Sequence, residues 1–330
     1  MISIMYREIS EQTETLDSVK THYEKNAKGL LEELKNYKKV YLMGTGASHQ
    51  ACLSALPAFL IHTDLDISVV GACDNTRISR ITKDDIVILV SQSGNSLETK
   101  VAVDSLEDKG IDIWALCNDS TSYLWNKAKI KLPILAPNET GSATKSYAGS
   151  VLALHYIACA GKKELLTGII EDNKKTLIEI PQKAKDYALN LKGDVLYLVG
   201  LEDSYPVTGQ ASIVLKEKAY LHVQGMSLTE FRHGTVEVVS EELPIILVAI
   251  GKQAYKDAEH HKDYLVGIGA NCIILADQDG ADVKFTNNLH PEFGLINAQV
   301  FFQYLAEAIA VERNLDVDEF KFLSKVVDKY

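Results

Sequence analysis

Short apolar runs alternate with longer amphipathic stretches along the first half of the chain. The run Val40–Met43 ends in Gly44–Ser48, a segment of glycines and small polar residues. Three further apolar runs follow: residues 85–90, 112–116 and 130–135. Runs of this length bounded by turn residues are typical of buried strands, and the stretches between them have helical spacing. The pattern predicts strands and helices alternating around a parallel sheet, after a helical segment over residues 1–36.

The same pattern recurs in the second half of the chain. Three runs repeat in the same order at a nearly constant offset of about 160 residues: Leu196–Gly200, Pro244–Val248 and Cys272–Ala276. We therefore predict two α/β domains of one topology, over residues 37–175 and 185–312. A charged stretch near 165–190 is expected to be a helical linker, and residues 313–330 a C-terminal tail that closes on the active site.

Composition narrows the class of protein. The chain has 330 residues, 46% of them apolar, and a formal net charge of −11 without a cluster of Lys or Arg. This composition argues against nucleic-acid and membrane partners, and no apolar run approaches the roughly 20 residues that span a bilayer. The N-terminus is polar, and the five cysteines are scattered in no metal-ligand spacing. We expect a soluble cytoplasmic protein with reduced thiols and no metal.

Hydroxyl groups are concentrated where the second apolar run ends. The segment Ser91–Ser96 reads Ser-Gln-Ser-Gly-Asn-Ser, and Gly94 lets the backbone turn closely around a ligand. Ser48 ends the loop after the first run, and Thr144 offers a further hydroxyl. Serine hydroxyls and the N–H groups at a helix start bind phosphate without a cationic side chain. Helix capping by these serines is the alternative interpretation.

A nucleotide site is a weaker interpretation of the same region. Gly44 and Gly46 follow a predicted strand, and Asp64 and Asp66 lie further along at a tolerable spacing. The third glycine of a dinucleotide fingerprint is absent from this loop, and the sequence has no Gly-Lys-Ser/Thr phosphate loop.

Two residues of the second half could carry acid/base chemistry. Glu217 lies in a helical stretch that begins near Thr208, and His233 follows sixteen residues later, before Gly234. Isomerising a sugar phosphate needs a carboxylate to move a proton between C1 and C2, and an acid/base such as imidazole to open the ring. A solvated glutamate and a helix-terminal histidine are the alternative interpretation.

Taken together, these segments resemble the double sugar-isomerase (SIS) domain family. The chain is most similar to the isomerase half of glucosamine-6-phosphate synthase and to glucosamine-6-phosphate deaminases built from that half alone. The resemblance rests on these segments, in chain order: Arg7–Gln12, Thr45–Ser48, Ser91–Gly94, Gly200–Met226, Arg232–Gly234 and Leu323–Val326.

The resemblance implies two doubly wound domains with five-stranded parallel sheets, a homodimer, and no metal or organic cofactor. It assigns the sugar phosphate to Ser48, Ser91, Gln92, Ser93 and Ser96. It assigns contacts with the sugar to Gly46, Ala143 and Thr144. It further implies that Glu217 transfers the C1/C2 proton, that His233 opens the ring, often across the dimer interface, and that Lys325 forms an imine with the open-chain ketose. A solvated lysine in a terminal tail is the alternative for Lys325.

The chain also departs from the family pattern. No segment corresponds to the glutaminase domain, since the chain begins with Met1-Ile2, and we expect the degradative direction for that reason. The stretch 138–145 is one residue short of the family pattern, which leaves the role of Glu139 open. Three changes are expected to line the sugar pocket and to alter the substrate: Val214, His222–Gln224 and Thr235.

The leading hypothesis is an isomerase/deaminase. It would convert an amino-sugar 6-phosphate, such as glucosamine 6-phosphate, to a ketose 6-phosphate and ammonia. The alternatives are a fructosamine-6-phosphate deglycase acting on a substrate such as fructoselysine 6-phosphate, a simple aldose–ketose isomerase, and a non-catalytic phosphosugar sensor. Because function resides in the site and not in the fold, these alternatives stay open at the level of sequence.

Overall fold

The computed structural model of the chain describes residues 2–160 and 162–326, which form two compact units. The first unit comprises the described residues of Glu11–Leu166 together with residues 321–326. The second unit comprises residues 2–10 together with Thr167–Phe320. The domain bounds expected from the sequence were 37–175 and 185–312. The division into these two units does not test them, and they stay a prediction.

The first unit contains a five-stranded sheet in which all paired strands are parallel. The N-terminal helix α1 (Ile4–Ser10) belongs to the second unit, so the first unit begins with α2. Its helices are α2 (Gln12–Leu34), α3 (Ala47–His62), α4 (Asn75–Ile78), α5 (Leu97–Asp108), α6 (Tyr123–Lys127) and α7 (Lys145–Ala158). Its strands are β1 (Val40–Gly44), β2 (Ile67–Gly71), β3 (Ile86–Ser91), β4 (Asp112–Cys117) and β5 (Ile130–Pro133), in the spatial order β2-β1-β3-β4-β5.

The second unit repeats this arrangement. Its helices after α1 are α8 (Ile169–Asn190), α9 (Tyr205–Ala219), α10 (Leu228–Arg232), α11 (Lys252–Gly267) and α12 (Leu295–Glu312). Its strands are β6 (Val195–Gly200), β7 (His222–Ser227), β8 (Pro244–Ala249), β9 (Asn271–Ala276) and β10 (Val283–Lys284), all parallel in the order β7-β6-β8-β9-β10. Short 3₁₀ turns lie at Lys163–Leu166, Glu202–Ser204, Thr235–Val238 and Pro291–Phe293. The strand order matches that of the first sheet, position by position.

The predicted α/β fold with two parallel five-stranded sheets is confirmed. The repeated runs of the sequence are the paired equivalents β1 and β6, β3 and β8, and β4 and β9. Three strands were not predicted, namely β2, β7 and β10, and all three lie at the edge of a sheet. Edge strands place polar residues toward solvent, so they lack the continuous apolar run of a strand buried on both faces. The helix α8 spans most of the stretch expected as a helical linker.

One hydrophobic helix in each unit is buried on nearly all sides. All fourteen residues of α7 are buried, and this helix packs against α2 and α3. Similarly, α12 packs against α8 and α9 with most of its residues buried. A helix that is apolar all round belongs either in the interior of a protein or in a bilayer. Among the helices that the structure describes, none combines the length and the apolar character needed to cross a membrane.

Candidate active site

The first hydroxyl loop, residues 45–48, joins the end of β1 to the start of α3. A Cβ atom at Gly44 would lie 2.8 Å from the backbone carbon of Ser48 and 2.9 Å from the backbone nitrogen of His49, so only glycine fits at this strand end. Gly46 has a φ of 56°, a conformation that glycine adopts at little cost. The backbone N–H of Ser48 donates to the carbonyl of Thr45 at 3.1 Å. These constraints place the half-buried Ser48 in the first turn of α3, against the end of β1.

The second hydroxyl loop, residues 91–96, joins the end of β3 to α5 and turns sharply at Gly94. This glycine has a φ of 61°, and a Cβ atom there would lie 2.3 Å from Oγ of Ser122. The N–H of Gly94 donates to Oγ of Ser91 at 3.0 Å, and its carbonyl accepts from the N–H of Leu124 at 3.1 Å. The loop is therefore held in place by its own hydroxyl and by the start of α6.

The serines of this loop accept hydrogen bonds from the loop itself. Ser96 is the N-cap of α5, since its Oγ accepts from the N–H of Thr99 at 3.3 Å. Oγ of Ser93 accepts from the N–H of Asn95 at 3.3 Å, and Oγ of Ser91 accepts from the hydroxyl of Thr99 at 3.4 Å. A hydroxyl that accepts still carries a proton to donate. The capping interpretation is thus correct for Ser96. Because Thr99 donates to Ser91, the Ser96 hydroxyl donates to that of Thr99 at 2.7 Å, and Ser91 and Ser93 are the serines of this loop assigned as donors to a phosphate.

Pairing within the sheet brings the two hydroxyl loops to one edge. Met43 of β1 is paired in parallel with Leu89 of β3, so both strands end side by side. The helices that follow, α3 and α5, both begin there. In doubly wound sheets, ligands bind outside the carboxyl ends of the strands. Gln92, predicted to contact phosphate, lies half-buried in this region and accepts from the N–H of Asn118 through its backbone carbonyl at 3.2 Å.

A third loop, before α7, is organised around the buried carboxylate of Glu139. Its Oε1 accepts from the N–H and the hydroxyl of Thr144, at 2.9 and 3.1 Å, and from the N–H of Ser146 at 3.2 Å. Its Oε2 accepts from the hydroxyl of Ser146. Glu139, whose role the sequence left open, is therefore the negative charge at the N-terminus of α7. Thr144 is fully buried and donates its hydroxyl to Glu139, and Ala143 is half-buried; their sugar contacts stay a prediction.

Lys325 of the C-terminal segment binds this third loop. Its Nζ lies 3.1 Å from Oε2 of Glu139 and donates to the carbonyl of Gly141 at 2.6 Å. Burial raises the pKa of Glu139, but the Lys325 ammonium and the hydrogen bonds from Ser146 and Thr144 outweigh it and hold the pKa below its usual value. Because an imine forms from a neutral amine, Lys325 would have to leave Glu139 and lose its proton before it could act in that way.

The two predicted acid/base residues lie in the second unit. Glu217 is half-buried on α9, and His233 is exposed at the end of α10, where its N–H donates to the carbonyl of Glu230 at 3.2 Å. His233 lines a cavity of about 590 Å³. The other described residues that line it are Tyr205, Gln224, Gly225, Met226, Ser227, Glu230 and Thr235. Glu217 is not among these, so the structure does not bring the pair together in this cavity.

Two of the changes noted in the sequence do line the His233 cavity. Gln224 and Thr235 belong to its wall, and that this wall is a sugar pocket stays a prediction. Val214 is different, because its side chain is fully buried in the hydrophobic core of the second unit. Among residues 2–160 and 162–326, no group of three His, Cys, Asp or Glu side chains is arranged to hold a metal ion.

The sequence of the first unit matches a known domain. Residues 33–160 match the sequence profile of the SIS domain. The chain contains a SIS domain. This SIS domain extends from the end of α2 through α7, and it includes both hydroxyl loops and the loop of Glu139.

Relatives of the chain extend the similarity beyond the SIS domain. The glutamine–fructose-6-phosphate aminotransferase (isomerizing) of Bradyrhizobium diazoefficiens is 26% identical over 357 aligned residues, which cover 98% of this chain and 58% of the relative. The enzyme of the same name from Halobacterium salinarum is 28% identical, with 90% of this chain and 53% of the relative covered. The chain thus spans little more than half the length of these relatives.

Solved structures show the same fold. The C-terminal domain of glucosamine-fructose-6-phosphate aminotransferase from Francisella tularensis superposes with a TM-score of 0.85 at 19% identity, covering 97% of this chain and 99% of that one. Glucosamine-6-phosphate deaminase from Thermotoga maritima gives a TM-score of 0.80 at 19% identity, covering 98% and 99%. At these identities the similarity establishes the fold, in which the SIS domain is followed by a second sheet of the same strand order.

Proposed function

We propose that the chain is an isomerase/deaminase that converts an amino-sugar 6-phosphate, such as glucosamine 6-phosphate, to a ketose 6-phosphate and ammonia. The observation that carries this proposal is the meeting of two hydroxyl loops at one edge of the SIS sheet, through the pairing of β1 with β3. Relatives named for fructose 6-phosphate and a structural neighbour named as a deaminase support the choice of substrate class.

In this proposal the phosphate binds to neutral donors. Ser48, Ser91, Ser93 and Ser96 lie at or near the N-termini of α3 and α5, whose free N–H groups favour an anion. Gln92 is assigned to the same phosphate. A hydrogen bond to a charged group contributes about 1.5–3 kcal/mol, so a few such donors are sufficient for a chain with a net charge of −11.

The chemistry is assigned to the second unit. His233 opens the sugar ring, and Glu217 moves the proton from C2 to C1. The C2 imine that results takes up water and releases ammonia, so one amino-aldose phosphate and one water give one ketose phosphate and one ammonia. A positioned acid or base contributes typically ~10²–10⁴-fold to the rate. The pairing of Lys325 with Glu139 supports a resting role for this lysine before substrate binds.

Ammonia release, coupled to glutamate dehydrogenase, tests the proposal over a panel of 2-amino-sugar 6-phosphates. Glu217→Gln should lower kcat by at least ~100-fold, because it removes the base while retaining the shape of the side chain. Glu237→Gln is the matched control, since Glu237 is an exposed glutamate of the same unit. Absence of ammonia from every sugar of the panel, or full turnover by the Glu217 variant, would refute the proposal.

The His233 cavity favours a second candidate, a fructosamine-6-phosphate deglycase. The cavity has about 590 Å³ of space, and the carboxylate of Glu230 in its wall suits the ammonium group of an amino acid. Such an enzyme would convert fructoselysine 6-phosphate and water to a sugar phosphate and lysine. Release of free lysine, separated from the substrate by chromatography before ninhydrin detection and without ammonia, would favour this candidate over the deaminase. A phosphosugar sensor would bind both substrates, release neither product, and retain binding in Glu217→Gln.

The proposal includes a homodimer in which His233 reaches the site of the other subunit, as the family resemblance implies. Two inactive variants test this point, Glu217→Gln and His233→Gln. If each site is built from two subunits, mixing the variants restores part of the activity, because some hybrid sites then contain both native residues. If both residues act within one subunit, the mixture stays inactive.

A further inference from the structure

A lysine that the proposed chemistry does not use is buried beside the predicted base. Lys218 follows Glu217 on α9, and only 1% of its surface is exposed. A buried ammonium group is costly unless polar or aromatic groups surround it. Its Nζ lies 3.7 Å from the centre of the Phe320 ring and donates to the backbone carbonyl of Glu319 at 3.3 Å. Lys218 thus holds the chain at Glu319 and Phe320 by a hydrogen bond and a cation–π contact.

The same segment has further attachments within the second unit. The side chain of Val317 is buried in the core. The carboxylate of Asp318 accepts from the N–H groups of Ile4 and Met5, at 2.9 and 3.0 Å, at the start of α1. Residues 317–320, together with Lys218, form what we call the tail anchor. After Phe320, the side chains of residues 321–324 are exposed, and that of Lys325 is half-buried.

We infer that Lys218 is a positioning residue, which acts through the tail anchor to fix the point from which Lys325 reaches the substrate. This inference rests on the proposed function for the role of Lys325. Lys325 lies five positions after Phe320, and such a segment spans at most about 18 Å when extended. A fixed origin therefore limits how far the Lys325 amine can move. Loss of the anchor would release the tail without changing any group that contacts the substrate.

The rate of trypsin cleavage after Lys321, an exposed residue of the tail, tests the anchor. This assay does not require that the protein be active. Lys218→Met retains the apolar stem and removes the charge, and we expect it to accelerate tail cleavage about tenfold, since a desolvated cation–π contact is lost. Lys216→Met is the matched control, an exposed lysine two residues away on the same helix. Lys218→Arg should restore the wild-type cleavage rate, because guanidinium also binds an aromatic face.

Phe320→Leu provides a second variant that leaves α9 unchanged, and it should also accelerate tail cleavage. In turnover assays, both Lys218→Met and Phe320→Leu should lower kcat with little change in KM. Unchanged cleavage in both variants would overturn the anchor, whether or not the wild-type protein proves active. Faster cleavage with unchanged kcat would overturn the positioning role. A wild-type protein that releases neither ammonia nor lysine, yet shows faster cleavage in the variants, would refute the proposed function and leave the tail anchor standing.

Discussion

The second hydroxyl loop should be least tolerant of change at Gly94. Its φ of 61° is unfavourable for any residue with a Cβ atom. A Cβ atom there would also lie 2.3 Å from Oγ of Ser122, 2.6 Å from its Cβ and 2.8 Å from Sγ of Cys117. Ser122 cannot easily move, because its Oγ donates to the carbonyl of Asp119 at 2.8 Å and accepts from the N–H of Trp125 at 3.2 Å. We therefore expect Gly94→Ala to destabilise the first unit.

Two terms set the size of this effect. The left-handed conformation costs an alanine about 1–2 kcal/mol relative to glycine. Crowding a packed site with one more carbon costs typically about 1–3 kcal/mol. The free energy of unfolding of the first unit should therefore fall by about 2–5 kcal/mol, the sum of the two terms.

Tryptophan fluorescence during urea unfolding measures this effect in the first unit alone. The chain has two tryptophans, Trp114 on β4 and Trp125 on α6, and both lie in that unit. Gly110→Ala is the control, because Gly110 has a similar φ of 65° but would meet only the flexible end of Lys83, at 3.1 Å. The control should lose only about 1–2 kcal/mol. Equal losses in the two variants would show that contact with Ser122 does not restrict this loop.

Two further substitutions test other parts of the structure. The pKa of Glu139 is lowered in the folded chain, so its contribution to stability is present above the unfolded-state pKa of about 4.3 and is lost as the pH falls through the folded pKa. Glu139→Gln should therefore lower the unfolding free energy by about 1.5 kcal/mol or more at pH 7, measured by tryptophan fluorescence. The difference in unfolding free energy between the wild type and this variant should narrow below about pH 4. A difference that does not depend on pH would contradict this prediction. A Cβ atom at Gly200 would lie 2.4 Å from the Cα atom of Tyr205, so Gly200→Ala should destabilise the second unit by about 1–3 kcal/mol, seen as an early transition by circular dichroism that precedes the tryptophan signal. A single transition at the wild-type urea concentration would refute that expectation.

The parts of the fold that the sequence predicted are those determined by local burial. Strand β3 is buried at all six positions, so its apolar run is continuous and visible in the sequence. Strand β7 alternates exposed and buried residues at its start and contains a glycine, and its pairing with β6 decides its structure. The repeat added information that no single run contained, because two halves with the same spacing must share one topology. The edge strands β2, β7 and β10 depend on tertiary pairing, which periodicity alone does not reveal.

The candidate site also has a part that the sequence predicted and a part that it could not reveal. The hydroxyl loop Ser91–Ser96 was predictable, because a strand end, a glycine and a helix cap are adjacent in sequence. The contact between Glu139 and Lys325 joins residues 186 positions apart, and motif spacing could not have identified it. Thr99 was also missed, although its place three residues after the cap residue Ser96 is a signal that sequence analysis can use.

Capping of a helix does not by itself exclude phosphate binding by the serines of the second hydroxyl loop. The oxygen atoms of Ser91, Ser93 and Ser96 accept hydrogen bonds from backbone N–H groups, which fixes the loop before any ligand binds. Each hydroxyl can also donate its one proton; that of Ser96 is used toward Thr99 at 2.7 Å, so Ser91 and Ser93 are the donors that the proposal assigns to a phosphate. A loop that is already fixed loses little conformational entropy when a phosphate binds, so its donors contribute more of their hydrogen-bond energy to affinity. The substitutions that test phosphate binding should therefore be Ser→Ala at Ser93, where the loop depends least on the hydroxyl, before Ser91 or Ser96, where loss of binding and loss of loop structure would coincide.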